Sequence, residues 1–412
     1  ASLSVLGTGN KAGILDQSFG FTASTSDRSC IDDADLIVCN NTSLEADHLI
    51  LAIDVIQRVK EGAKLIVSNS TLSNTDRQLS TLGMDPMRGR AAILWNGVMQ
   101  VLLDDGFFPP DKIREIPGAV EFLASRDFSI DNVAGLSGIS EDDILKAAEI
   151  IRNSKKIVFI HSLDRAEDHA TGDVETLANF IALLRSVGIK ADLLLPRLIS
   201  NSAGLEIMGA DPAYATGKAP VPDDVPGART HEELIGLLQG GDIRGALIIG
   251  EDPLAWPGTG SWFHNIEFLA AMDWTGTETT QFADVVLPGS TYLETEGTRC
   301  NFEGRLIRFE QALEPPAGVS GREILAQLAS KFGIETSDDL TNEIQAIING
   351  QLGDLAAFYI NTGQDRINKS DLRLVPTPPV IQVGSIQLPL TQGEIYRREI
   401  RDVGTEHFRV RA

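Results

Sequence analysis

The chain has 412 residues, 42% of them hydrophobic, which predicts two or three domains with sizeable cores. With 58 acidic and 35 basic residues its net charge is −23, and such an acidic surface repels nucleic acid and anionic membrane. Its cysteines, Cys30, Cys39 and Cys300, form no C-x-x-C pair, so this chain cannot supply the four thiolates of an iron–sulfur cluster, and we expect buried free thiols.

The chain opens with a predicted strand at residues 2–6, followed by the G-x-G-x-x-A sequence Gly7–Ala12. Asp27 lies about 20 residues further on, as in loops that hold a dinucleotide phosphate at a helix N-terminus. The same residues also fit a strand–turn–helix junction that needs glycine for its tight turn. Both interpretations stay open at this point.

A strand–helix–strand unit follows, with strands at 33–40 and 63–68 and a helix at 44–60. Two strands joined by a helix predict a parallel sheet. Its strands end in polar residues such as Asn40, at the edge where open α/β sheets bind ligands, although helix caps and loop hydrogen bonds explain these residues equally well. The predicted apolar face of the helix consists of Leu49, Ala52, Ile53, Ile56 and Val59.

The same alternation of helices and strands continues to residue 188. The predicted elements are a helix at 91–103, a looser stretch at 107–140, a helix from its cap Ser140 to Asn153, a strand at 156–160, and a helix at 173–187 ended by Gly188. His161 and His169 have no accompanying carboxylate pattern, so we interpret them as loop or cap residues rather than metal ligands.

A Pro/Gly/Asp-rich linker at about 218–228 separates this region from a second series of elements. That series comprises a helix at 231–238, strands at 245–250, 266–272 and 283–287, a helix at 321–332, a further helix at Leu340–Ile348, an extended linker at Pro376–Pro379, and a strand-like stretch at 381–390.

The stretch 276–316 organises the chain, because it combines a short apolar strand with two polar loops. It contains ADVVLP, then E-x-E-G-T, then N-x-E-G-R, then Pro315-Pro316. Gly297 and Gly304 stand where a backbone turns sharply or approaches a bound group. In order and spacing these sequences resemble the molybdopterin oxidoreductase family, which includes formate dehydrogenases, nitrate reductases and the 75-kDa subunit of respiratory complex I.

The resemblance implies an α/β fold with two Rossmann-like parallel-sheet domains of the formate dehydrogenase type. Their expected bounds are 1–200 and 201–330, with an irregular tail at 331–412. The positions that would line a vestigial pterin pocket are Asn40, Glu251, Thr275, Glu278, Asn301 and Glu303. The position of the family's metal ligand falls on Gly7, which has no side chain to bind molybdenum or tungsten, so the resemblance implies a degenerate metal site.

The function expected from this pattern is a non-catalytic scaffold inside an NADH-linked electron-transfer complex, of the 75-kDa subunit type in a respiratory chain. This chain would then carry no cofactor, and iron–sulfur clusters would reside in a preceding segment or a partner subunit. Expected partners are the iron–sulfur and NADH-oxidising subunits. No membrane span or signal peptide is visible in the sequence, so the expected location is the cytoplasm, at the inner face of the membrane through partners, or the matrix side if mitochondrial.

Two alternatives remain. In one, the chain belongs to a working molybdenum or tungsten oxidoreductase such as a formate dehydrogenase subunit and binds molybdopterin guanine dinucleotide, with non-protein ligands replacing the missing one. In the other, Gly7 and Gly9 bind a nicotinamide dinucleotide.

Overall fold

A computed structural model defines the fold. It describes residues 18–19, 23–126, 128–163, 172–197, 199–210, 231–255, 259–336 and 372–375, together with the isolated residues 216, 221, 227, 342 and 346. Gly7, Gly9, His169 and the linker predicted at Pro376–Pro379 lie outside these residues, and so does the helix predicted at Leu340–Ile348 except for residues 342 and 346, which are helical.

The first unit, residues 23–197, is built on a five-stranded sheet with all strands parallel and the order β3-β2-β1-β4-β5. The strands are β1 (Leu36–Asn40), β2 (Lys64–Ser68), β3 (Leu82–Met84), β4 (Lys156–His161) and β5 (Lys190–Leu194). Every residue of β1 is buried, as expected for a strand covered by helices on both faces. The predicted parallel α/β fold is confirmed.

Helices surround this sheet on both faces. They are α1 (Leu44–Asp47), α2 (Leu49–Lys60), α3 (Asn74–Leu79), α4 (Ala91–Asp104), α5 (Pro110–Arg114), α6 (Ala119–Ala124), α7 (Ile130–Ser137), α8 (Glu141–Arg152) and α9 (Asp173–Ser186), and a 3-10 helix, Arg28–Ile31, precedes β1. Three aromatic rings join α4, β4 and α9 in the core: the ring centroids of Trp95 and Phe159 are 6.2 Å apart, and those of Phe159 and Phe180 are 5.7 Å apart.

The helix predicted at 44–60 differs from the observed structure in two respects. It is broken at His48, whose backbone is not helical, into α1 and α2. The buried side of α2 is formed by Leu51, Ala52 and Val55, whereas Leu49 is 62% exposed. Ile53 is exposed as well, so the predicted apolar face was wrong at Leu49 and Ile53, whereas Ala52 is buried and Val59 packs against the core as predicted. The looser stretch predicted at 107–140 instead contains the short helices α5, α6 and α7.

The second unit, residues 231–336, contains a three-stranded parallel sheet of order β6-β7-β8. Its elements are α11 (His231–Gly240), β6 (Gly245–Ile249), β7 (Phe268–Asp273), α12 (Glu278–Phe282), β8 (Val285–Pro288) and α13 (Gly321–Lys331). The helix α10 (Ser202–Ile207) lies between the units in sequence. The strands predicted at 245–250, 266–272 and 283–287 are therefore present, with bounds shifted by one or two residues.

The ADVVLP sequence sets the register of β8. Asp284 donates its backbone N–H to Leu269 O, and its carboxylate accepts the Leu269 N–H, both at 2.8 Å. Steric contact requires a glycine at the position after β8, because a Cβ on Gly289 would lie 2.6 Å from the carbonyl carbon of Asp273. Asp284 and Gly289 therefore serve backbone pairing and close approach at the two ends of this strand.

A hairpin carries the N-x-E-G-R sequence. Strand β9 (Gly297–Cys300) pairs antiparallel with β10 (Leu306–Phe309). Gly304 N donates to Asn301 O at 2.9 Å, and Gly304 has φ +77. Asn301 N donates to Arg305 O at 3.0 Å, so residues 302–304 form a three-residue loop between this bonded pair. Such a loop commonly ends in a left-handed residue, and glycine adopts that conformation without steric cost.

The chain returns to the first unit at residues 372–375. Leu372 and Leu374 are buried in its core, and Asn179 of α9 donates to Val375 O at 2.9 Å and accepts its N–H at 2.8 Å. Leu374 N donates to Pro117 O at 2.9 Å. This four-residue stretch therefore anchors the C-terminal part of the chain onto α9. Among the helices within the described ranges, none combines the length and apolar character needed to cross a membrane.

Candidate functional site

The carboxyl ends of the parallel strands in the first unit carry polar, buried side chains. The register places Asn40 at the end of β1 beside Ser68 of β2 on one side and His161 of β4 on the other. The strand order reverses direction between β1 and β4, and open α/β sheets bind ligands in the crevice at such a switch point. Asn40 is the one predicted pterin-pocket residue on this edge.

Asn40 is held by contacts from distant parts of the chain. Trp95 Nε1 donates to its Oδ1 at 2.8 Å, and its Nδ2 lies 3.0 Å from His161 Nδ1. Asn40 and His161 are both fully buried. His161 is therefore the last residue of β4 and part of this network, and the prediction that it is a loop or cap residue was wrong.

The loops after these strands are tied to one another. Asn69 accepts the Thr42 N–H at 2.8 Å and donates to Thr42 O at 3.0 Å. The Thr42 hydroxyl donates to Asn40 O at 2.9 Å and accepts the Ser162 N–H at 2.8 Å. These bonds join the ends of β1, β2 and β4 into one rigid polar edge, which we call the switch-point edge, comprising Asn40, Thr42, Ser68, Asn69, His161 and Ser162.

The donor chemistry of the switch-point edge suits a polar, phosphate-bearing cofactor. Its side chains are amides, hydroxyls and an imidazole, and no carboxylate belongs to it. Ser68 Oγ is buried and makes no hydrogen bond with any residue that the structure describes, so it has capacity for a ligand. Arginine is absent from the set, so recognition here would use neutral donors rather than ion pairs.

The end of β6 presents a second polar edge. Glu251 is half-buried, and Glu278 and Thr275 are exposed. Asp252, the residue after Glu251, accepts the backbone N–H of Glu278 at 3.3 Å and of Thr279 at 2.8 Å. A carboxylate at a helix N-terminus satisfies donors that have no intrahelical partner. Asp252 therefore fixes α12 against the end of β6, which gives this acid a structural role.

Asn301 and Glu303 lie together in the hairpin turn, where they bond to backbone groups. Asn301 Oδ1 accepts the N–H of Glu303 at 3.1 Å and of Arg305 at 2.9 Å, and its Nδ2 donates to Glu303 Oε2 at 2.7 Å. The structure thus divides the six predicted positions into three places: Asn40 on the switch-point edge, Glu251, Thr275 and Glu278 near the end of β6, and Asn301 and Glu303 in the hairpin.

A cavity of about 450 Å³ opens between α10 and the hairpin. Arg299 lines it, with its guanidinium carbon 4.7 Å from the ring centroid of Phe309 and 6.0 Å from that of Tyr292. Arg197 also lines it, and its guanidinium forms a buried ion pair with Glu206. Apolar walls with a few convergent polar groups are the usual character of a ligand site.

The strained residue beside this cavity is Asn201, which has φ +65, uncommon for a residue other than glycine. Its Oδ1 accepts the N–H of Cys300 at 2.9 Å, which ties the start of α10 to the hairpin. A Cβ on Gly204 would collide with that same oxygen. No local sequence pattern explains these two residues, because the reason lies in a contact 99 residues away.

The fold and its polar edges correspond to a known family. A family model described as molybdopterin oxidoreductase matches residues 7–329, which is more than half of the chain. The chain belongs to the molybdopterin oxidoreductase family.

Relatives and a solved structure agree with this assignment. The chain is similar to F420-dependent formate dehydrogenase 1 subunit alpha of Methanococcus maripaludis, with 25% identity over 81% of this chain and 53% of that protein. It is 25% identical to formate dehydrogenase H of Escherichia coli over 80% of this chain and 50% of that protein. Acetylene hydratase from Pelobacter acetylenicus shares the fold, with a TM-score of 0.61 and 18% identity over 79% of this chain and 50% of that one. The chain spans about half the length of these proteins.

These findings correct two predictions. The prediction that this chain carries no cofactor is wrong, because membership of this family implies a binding site for a molybdopterin cofactor. The finer prediction of a complex I 75-kDa subunit finds no support in these relatives, which are formate dehydrogenases. The degenerate metal site stays a prediction, because Gly7 lies outside the described residues.

Proposed function

We propose that this chain is part of a formate-dehydrogenase-type molybdopterin oxidoreductase subunit and that its switch-point edge holds the dinucleotide part of the cofactor. The observation that carries the proposal is the rigid row of buried neutral donors at the strand-order reversal, in a chain whose relatives are formate dehydrogenase subunits. Glycosyl, phosphate and pterin groups all accept hydrogen bonds from amides and hydroxyls.

In this proposal the residues have distinct roles. Ser68 and Asn69 would donate to cofactor oxygens, and Trp95 would orient the Asn40 amide through its 2.8 Å bond. When bound, the molybdopterin group supplies a redox centre that takes two electrons from the substrate. Formate oxidation releases carbon dioxide, one proton and those two electrons, which a partner then carries away. Gly7 would contribute no side-chain ligand, so the metal would rely on pterin sulfurs and non-protein ligands at that position.

The domain bounds and partners follow as further parts of the proposal. The proposed bounds are 1–200, 201–330 and 331–412, and the division is supported by one parallel sheet lying within each of the first two ranges. A preceding segment of the same protein or a partner subunit would supply the electron acceptor, because these 412 residues offer no set of cysteines for an iron–sulfur cluster.

The test is elemental analysis of the natural, full-length protein combined with a formate-dependent viologen reduction assay. We expect molybdenum or tungsten at near one metal per polypeptide and formate-dependent reduction. A protein that contains neither metal when purified from a host that supplies both would contradict the proposal.

A matched pair of variants locates the site. Asn69→Leu removes both bonds to Thr42 and a donor from the switch-point edge, and we expect metal content to fall about tenfold. Asn153→Leu is the control, because Asn153 is an exposed residue at the end of α8 that bonds only within its own helix. Equal metal content in the two variants would place the cofactor elsewhere.

A further inference from the structure

The hairpin of the second unit is bonded to a short segment of the first unit, Ser24–Arg28. Glu303 Oε1 accepts the backbone N–H of Arg28 at 2.8 Å, and the Ser24 hydroxyl donates to Phe302 O at 2.7 Å. Glu303 and Ser24 are both buried. The two bonds join residues that are 275 and 278 positions apart in sequence.

The segment is also bonded to strand β5 of its own unit. Thr25 N donates to Leu193 O at 2.9 Å, and the Thr25 hydroxyl accepts the Leu193 N–H at 2.7 Å. Ser24 Oγ accepts the Leu195 N–H at 2.9 Å. Ser24–Arg28 therefore lies between the edge strand β5 and the hairpin, and its hydrogen bonds to both hold the hairpin in place relative to β5.

Glu303 is also held in place by hydrogen bonds within its own hairpin turn. Its second oxygen accepts Asn301 Nδ2 at 2.7 Å, and Asn301 is in turn held by the N–H groups of Glu303 and Arg305. The Arg28 N–H is the first donor of the 3-10 helix Arg28–Ile31, so it has no partner within that helix. A buried carboxylate that accepts such a donor forms a strong, directional bond.

We propose that Glu303 is a positioning residue that fixes the hairpin of the second unit against the first. The bond would keep the switch-point edge of the first unit and the end of β6 in the second unit at the separation that a bound dinucleotide cofactor needs. The inference rests on the proposed function for its consequence, but the bond between the units is independent of any cofactor. It gives the N-x-E-G-R sequence a role in assembling the cofactor site rather than in touching the cofactor.

The experiment compares Glu303→Ala with Glu323→Ala in the full-length protein. Glu323 is a matched control because it is a carboxylate of the same unit that accepts the backbone N–H of Ser320 in the capping box of its own helix α13, and within the described residues its side chain bonds to Ser320. Glu303→Gln is the conservative variant: it keeps an acceptor for Arg28 but turns an amide donor toward Asn301, so an intermediate result is expected.

Hydrogen exchange measures the bond directly. We expect backbone exchange in residues 27–31 to accelerate about tenfold in Glu303→Ala and less in Glu303→Gln, with no change in Glu323→Ala. Unchanged exchange in Glu303→Ala would overturn the proposal, because the Arg28 N–H would then not depend on Glu303.

The distance between the two units is measured between two spin labels, one on each unit. The three native cysteines are buried, so labels can be placed on Lys60→Cys of the first unit and Lys331→Cys of the second, both exposed. We expect the distance distribution to broaden in Glu303→Ala but not in Glu323→Ala. An unchanged distribution would overturn the positioning role even if exchange accelerates.

Metal content separates this inference from the proposed function. If the unsubstituted protein contains metal, Glu303→Ala should retain about threefold less than Glu323→Ala, and equal retention would overturn the link to the cofactor. If the unsubstituted protein contains no metal, the proposed function fails, and the exchange and distance measurements still decide whether Glu303 joins the two units.

Discussion

Gly118 is a residue whose identity is set by a contact that no local sequence pattern reveals. Its φ is +84, and a Cβ would collide with the carbonyl oxygen of Leu374 in the returning C-terminal stretch. Gly118→Ala should therefore lower the free energy of unfolding by about 3 kcal/mol, from left-handed strain and from displacement of the buried leucine. Urea denaturation measures this loss.

Gly106→Ala is the control for strain alone. Gly106 has φ +68, but a Cβ there would meet nothing within 4 Å. We expect a loss of about 1 kcal/mol, the ordinary cost of a left-handed residue with a side chain. Equal losses in the two variants would mean that residues 372–375 do not pack against Gly118.

The thiols give a residue-scale prediction on pH. Burial, together with nearby Asp192, raises the pKa of Cys30 above its ordinary value, and burial, with a smaller effect of Asp76, raises the pKa of Cys39. The pKa of these thiols is higher in the folded state than in the unfolded state. Their contribution to the free energy of unfolding is therefore complete below the unfolded pKa of about 8.5, and it is lost as the pH rises above that value.

Ellman's reagent checks the burial of these groups. At pH 8 the folded protein should react slowly at all three buried cysteines, and three thiols should react at once in guanidinium. Rapid reaction of the folded protein would contradict the packing around Cys30 and Cys39.

At the scale of the element, Asp252 shows how a short helix is fixed to a strand end. Its carboxylate accepts the N–H and hydroxyl of Thr279 at 2.8 and 2.7 Å. Asp252→Ala should lower the free energy of unfolding by about 1–2 kcal/mol, because the first N–H groups of α12 lose their acceptor while Thr277 still caps the helix. Asp252→Asn should lose less because one acceptor oxygen remains.

Asp142→Ala is the matched control for that substitution. Asp142 lies exposed in the first turn of α8, and its removal should change the free energy of unfolding by no more than about 0.5 kcal/mol. Thermal or urea denaturation of the two Asp252 variants and the control, run together, checks the order of stabilities.

Elements with strong periodicity could be predicted from the sequence, and those held by distant contacts could not. β1, α4 and α8 follow from apolar runs and a capping serine, and all three are present. β5 was missed because Asp192 interrupts its apolar pattern. That carboxylate is buried and accepts from Arg185 at 2.8 Å, a partner that the sequence does not reveal.

The same limit applies to the candidate site. Asn40 could be predicted because polar residues at the end of a buried strand mark the ligand edge of a parallel sheet. Its partners Trp95 and His161 could not, because they lie 55 and 121 residues away in sequence. Gly7 could be placed only by the family resemblance.

For the whole molecule, the described fold of this molybdopterin oxidoreductase family member consists of two parallel sheets with polar strand ends and a hairpin of the second unit that is bonded to the first. The net charge of −23 favours partners with basic surfaces. An electron-transfer partner should therefore associate more slowly as salt is raised, since charge steering is screened. Stopped-flow association at two ionic strengths measures this, and a rate independent of salt would contradict it.

Hydrogen exchange of cofactor-loaded and cofactor-depleted protein tests the central claim most directly. The account predicts protection on loading at the three strand ends of the switch-point edge, residues 40–43, 68–70 and 161–163. Protection confined to other parts of the chain, or none at all, would contradict it.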